Sequence, residues 1–93
     1  MKTTQLAEYL TEKRLNAGLT QTEIARVLGY TTSQFISNWE RGLSAPPLEV
    51  IKKLAKLYHV SSDELFKVFL EDSVAQFEAN LVRQFYGTTR KRV

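Results

Sequence analysis

The chain has no cysteine. A disulfide framework, a thiolate metal site and a cysteine nucleophile are therefore all excluded. It has one histidine, and a single imidazole without thiolates cannot build a zinc site of the usual kind. No cofactor or metal is expected. No apolar run approaches the length of a membrane span, and the opening MKTTQLAEYL lacks the apolar stretch of a secretory signal. The expectation is a cytoplasmic protein with no membrane partner. Four glycines and two prolines are all the chain contains, and each falls where an element would end. No segment alternates apolar and polar residues long enough to make a strand, so the fold class expected is all-α.

Ninety-three residues suffice for one small domain with a modest core, for which oligomerisation is a source of added stability. The net charge of +3 is mildly basic, which fits a nucleic-acid partner without requiring one. The charge is not blocky: residues 1–70 hold nine Lys/Arg against seven Asp/Glu, and only the run Arg90-Lys91-Arg92 is a cluster.

Helical periodicity and stop signals divide the chain into five helices. The first is expected over about Thr4 to Ala17, with Leu6, Leu10 and Arg14 on one stripe, Tyr9 and Leu15 beside it, and Gly18 as the left-handed end. Thr20 and Glu23 form a capping box that opens helix 2, whose inward residues are Ile24, Ala25 and Leu28 and whose stop is Gly29. After a turn through Tyr30 and Thr31, Thr32 is the expected cap of a short third helix over about 33–41 that ends at Gly42. Pro47 suits the first turn of helix 4. Ser61 and Glu64 form a second capping box for helix 5. A third such pair, Ser73 and Gln76, leaves residues 62–86 open to reading as one helix or two.

The third helix divides by direction. At 100° per residue, Phe35, Ile36 and Trp39 share one side and are expected to hold the helix against the core, with contact to the DNA backbone or to thymine methyls as the alternative for Phe35. Gln34, Ser37, Asn38 and Arg41 share the other. Glu40 lies at the border, nearer the core than an unpaired carboxylate tolerates. Arg14, on the inward stripe of helix 1, is the matching misplaced charge, so an Arg14–Glu40 ion pair is expected. Ordinary exposed helix faces carry strong helix formers such as Lys and Glu. This face carries Ser and Asn, which form helices poorly, together with Gln. Gln and Asn pair bidentately with an adenine edge in the major groove, Ser is an adaptable contact, and Arg serves guanine or phosphate.

Helix 2, a tight turn and a short helix with a polar outer face make a helix-turn-helix. The stretch GLTQTEIARVLGYTTSQFISNWERG, continuing to APPLEVIKKLAKLYHVSSDELF, resembles the Cro/CI-type (XRE-type, lambda-repressor-like) DNA-binding domain of phage and bacterial repressors. The matching positions are Gly18 to Gln21, Ile24-Ala25, then Ile36, Ser37, Glu40 and Gly42, then Pro46, and finally Val60 to Leu65. The resemblance covers roughly residues 5–70 and implies a five-helix DNA-binding domain. It implies base reading by Ser33, Gln34, Ser37 and Asn38, and phosphate contact by Gln21. Thr32 and Arg41 are further phosphate candidates. The sequence departs from the family pattern in three places. The turn Tyr30-Thr31-Thr32 is one residue longer than the shortest form, LSAPP carries no Lys or Arg, and His59 stands where a glycine usually ends helix 4.

Beyond the domain, assigned to 1–70, the apolar pattern continues. Phe66, Leu70, Val74, Phe77, Leu81 and Phe85 recur at spacings compatible with a heptad. The stripe either folds back as extra core or packs on a second copy. The dimer is favoured, because exposing so much apolar surface invites association. Residues 71–86 are thus read as a helical dimerisation extension and 87–93 as a basic tail. The functional expectation is a dimeric regulator binding a near-palindromic site on double-stranded DNA. The alternative is an antitoxin or other interaction module whose 71–86 segment binds a partner protein. An enzyme has no support in the sequence, which offers no nucleophile–base set and no phosphate loop.

Overall fold

The computed structural model describes residues 4–87. Five α-helices follow in order: α1 (Gln5–Asn16), α2 (Gln21–Leu28), α3 (Gln34–Glu40), α4 (Ile51–Tyr58) and α5 (Ser62–Tyr86), with a 3₁₀ turn at Leu48–Val50 leading into α4. The described residues contain no strand. The fully buried side chains Leu10, Ile24, Ile36, Leu54 and Leu65 come one from each helix. Burying such a side chain contributes roughly 1.5–3 kcal/mol, so every helix is anchored through its own apolar residue. α1 packs on α3, α4 and α5, while α2 packs on α3.

The helix boundaries follow from capping chemistry. Thr4 Oγ1 accepts from the Ala7 amide at 3.0 Å and opens α1. At α2 the capping box is complete: the Glu23 amide donates to Thr20 Oγ1 at 3.0 Å and the Thr20 amide donates to Glu23 Oε1 at 2.8 Å. At α5 only half of the expected box forms. The Glu64 amide donates to Ser61 Oγ, but the Glu64 carboxylate is taken instead by the Tyr9 hydroxyl at 2.8 Å, tying α1 to α5.

Four helices end in the same way. Beyond each last turn, one amide reaches back five residues and the amide before it reaches back three. The residue between carries positive φ: Gly18, Gly29, Gly42 and, after α4, His59 at φ 59° and ψ 40°. Histidine tolerates this region better than most side chains. At Gly42 the backbone favours glycine because φ is +76°; a Cβ there would only touch Thr4 at an ordinary contact distance of 3.5 Å.

Two expectations change here, and one open choice is decided. α3 begins at Gln34 and ends at Glu40, one residue inside the expected 33–41 at each end, because Thr32 Oγ1 accepts from the Gln34 amide while Ser33 supplies no side-chain cap. Leu15 is 60% exposed rather than packed beside the α1 stripe. α5 is one uninterrupted helix of 25 residues, which decides the choice left open between one helix and two, and Ser73 caps nothing. The Arg90-Lys91-Arg92 run lies outside the described residues.

Candidate nucleic-acid interface

α2 and α3 are joined by residues 29–33, and Tyr30 governs that turn. Its ring lies 4.9 Å from that of Phe35 and meets Trp39 edge-on at 6.0 Å. Ile36 and Trp39 are buried, as their helical positions require. Of the two readings open for Phe35, packing against the core is not the one found: it is 53% exposed and lies against Tyr30 from outside. The short helix places residue 35 at the rim of the core, and the aromatic turn residue gives it a partner there.

The border carboxylate of Glu40 is a node joining three helices. Arg14 donates Nε to Oε2 at 2.7 Å and Nη2 to Oε1 at 3.0 Å, a bidentate fork. Arg14 Nη1 donates to the Leu19 carbonyl at 2.8 Å, fixing the loop before α2. Gln21 Nε2 also donates to Glu40 Oε1, at 2.9 Å. The expected ion pair is therefore present. Gln21 is half-buried at the start of α2 and turned toward Glu40, a contact that sequence reasoning missed. Its second amide hydrogen is not engaged by Glu40. The bond to Glu40 holds the Arg14 guanidinium above its ordinary value, outweighing the opposing effect of burial.

Tyr58 closes the node from α4. Burial pushes its phenol above the ordinary value and the nearby Glu40 carboxylate adds to this, while Arg14 opposes it. The neutral phenol is favoured in the fold, whereas the unfolded chain releases that proton near pH 10. Stability from this group is complete below that pH and is lost as pH rises through the folded value. The melting temperature is expected to stay flat from about pH 7 to 9 and to fall above about pH 10. Tyr58→Phe should flatten part of that fall. An alkaline limb unchanged in the variant, followed by circular dichroism, would contradict this assignment.

On the opposite side of α3 the polar residues bond to one another. Gln34 Nε2 donates to Asn38 Oδ1 at 2.9 Å, and Arg41 Nη2 donates to the same oxygen at 3.1 Å. This network leaves unused the Gln34 carbonyl oxygen, one Gln34 amide hydrogen and both Asn38 amide hydrogens. Gln34, Arg41 and Thr32 are exposed, while Ser33, Ser37 and Asn38 are half-buried. Six of the seven residues named for DNA contact thus lie on α3 or immediately beside it, and Gln21 lies apart at the start of α2. Among the described residues no group of acidic, histidine or cysteine side chains is placed to hold a metal, and no helix is long and apolar enough to cross a membrane.

Comparison with known proteins bears on this arrangement. A family model described as helix-turn-helix matches residues 4–65, about two thirds of the chain. The HTH-type transcriptional regulator ImmR of Bacillus subtilis (strain 168) is 40% identical over 60 residues, which are 64% of this chain and 46% of that protein. The chain therefore spans less than half the length of this relative. With the turn between α2 and α3, the Arg14–Glu40 pair and the left-handed helix ends in the places described, the chain belongs to the XRE-type helix-turn-helix family.

Proposed function

We propose that the protein is a sequence-specific, double-stranded DNA-binding transcriptional regulator that acts as a dimer and lays α3 in the major groove. The observation that carries this reading is the amide network on the outer face of α3. Gln34 keeps one donor and one acceptor beyond its bond to Asn38, which is the pair of groups needed to meet N7 and N6 of an adenine. It can therefore read that base without giving up its support. Asn38 keeps two donors for acceptors such as guanine O6 or thymine O4. Arg41, tethered to Asn38, has guanidinium hydrogens left for guanine or phosphate. Ser33 and Ser37 flank the amides as adaptable contacts, and Thr32 sits at the phosphate side of the turn. The spare Gln21 amide hydrogen, at the start of α2, serves a phosphate while the other stays on Glu40. No cofactor is invoked.

One module reads only a few base pairs, and a two-fold dimer places two such helices about 34 Å apart on a near-palindrome. Selection from random duplex DNA by the purified protein is expected to enrich a near-palindromic consensus with half-sites one helical turn apart. Recovery of no consensus would defeat the reading, and recovery of a single unrepeated half-site would defeat its dimeric part.

The antitoxin alternative draws on the 71–86 segment, which is exposed from Val74 onward. Such a module would bind a partner protein there and need not lose its DNA contact.

A further inference from the structure

The exposed stripe of α5 has an internal symmetry. Phe66, Leu70, Val74, Phe77, Leu81 and Phe85 are spaced 4, 4, 3, 4 and 4 residues apart, a pattern that reads the same in both directions. Its repeat is eleven residues: Phe66 to Phe77, Leu70 to Leu81 and Val74 to Phe85. The central spacings 4, 3 and 4 fit a heptad, but the full stripe follows an eleven-residue repeat, whose slow drift runs in the sense opposite to that of a left-handed coiled coil. All six side chains are between 42% and 81% exposed, so the stripe does not fold back on its own domain. Together they leave a line of large apolar side chains along one face of α5 without cover from their own domain, the kind of exposed surface that marks an interaction site.

From Val74 onward every residue of α5 is exposed, so this half of the helix stands clear of its own core. A free helix of about a dozen residues is marginal in water, and its helicity needs a packing partner. We infer that the partner is a second copy of this chain, paired antiparallel through α5 about a two-fold axis between residues 75 and 76. This inference rests on the dimeric part of the proposed function. The symmetric spacing then sets Phe66 against Phe85 of the other copy, Leu70 against Leu81, and Val74 against Phe77. A two-fold contact requires such self-complementarity, since each pairing must occur twice.

Three further features favour antiparallel over parallel order. The bare half of each helix is laid along the half that the other copy's domain already supports. The acidic first turn of α5, with Asp63 and Glu64, meets the end of the other helix that carries Arg83. The third is a cleft of about 490 Å³ beside Phe66, lined in part by Leu48 and Ile51; antiparallel order, which sets Phe66 against Phe85, brings the other copy's Phe85 and Tyr86 to its mouth. Those two rings already stand edge-on with centroids 4.9 Å apart.

The absence of cysteine makes the test clean. Single spin labels are placed at Glu78→Cys and at Gln84→Cys in the full chain, both exposed positions. At 1.5 Å rise per residue, antiparallel order offsets the two Glu78 sites by about 8 Å along the helix and the two Gln84 sites by about 26 Å. Dipolar electron spin resonance should therefore find a short distance at Glu78 and a long one at Gln84. Equal short distances at both sites mean parallel order and overturn the arrangement. A monomeric mass with no dipolar coupling overturns the second copy as the partner. A gel shift of the same labelled proteins on the selected DNA separates these failures from failure of the DNA-binding reading.

Discussion

Glu40→Gln is expected to lower the melting temperature by roughly 12–24 °C. The Arg14 side chain is only 11% exposed and that of Glu40 5%, so neither charge can turn to water when its partner is removed. Breaking a buried pair from one side costs about 3–5 kcal/mol, because the remaining charge stays desolvated and uncompensated. A glutamine keeps some hydrogen bonding, which places this substitution near 3 kcal/mol. For a domain of this size each kcal/mol moves the midpoint by about 4–8 °C. The double variant Arg14→Met with Glu40→Met should be markedly less destabilised than Glu40→Gln alone, since it leaves no orphan charge. A melting temperature within 2–3 °C of the parent, about 0.5 kcal/mol on that scale, would mean that the pair is effectively solvated.

The second large effect is on recognition. Gln34→Ala combined with Asn38→Ala should reduce discrimination between the selected DNA and a scrambled duplex by roughly 30-fold to 10⁴-fold, from about 1–3 kcal/mol for each lost base pairing. The fold should survive, because Gln34 is exposed and Asn38 bonds outward through its side chain. The single variants carry the sharper information. Asn38 holds Gln34 in place, so Asn38→Ala removes its own contact and loosens its neighbour. The two losses should therefore not add, with a coupling of about 0.5 kcal/mol or more in a double-mutant cycle. Full discrimination retained by the double variant in a gel shift would show that these amides do not read bases.

Much of this architecture is written locally. The capping box at Thr20 and Glu23 and the glycines at 18, 29 and 42 mark helix ends by short-range chemistry, so they are readable residue by residue. Arg14 and Glu40 were legible for a different reason: each is a charge on an otherwise apolar side, and a buried charge needs a partner. What escaped depends on the distance between elements. Glu64 has a good local partner in the Ser61 backbone, yet it turns to the Tyr9 hydroxyl because α1 lies beside α5. Gln21 looks like a surface amide until α3 brings Glu40 to it. Phe35 fits the inward side by angle alone, but a seven-residue helix does not cover it. The continuity of α5 was undecidable from Ser73 and Gln76, because a capping pair inside a strong helix is simply not used.

The separation of bonds across α3 has a consequence for how such a domain diversifies. The bonds that seat the helix run inward from Glu40 to Arg14 and Gln21, and the bonds among its outer residues run only along the surface. Neither set shares an atom with the other. The outer residues are thus free to change as a group without disturbing the seating. If these residues read bases as proposed, target preference would be exchanged by transplanting a handful of side chains, with the scaffold, turn and seating of α3 left as they are.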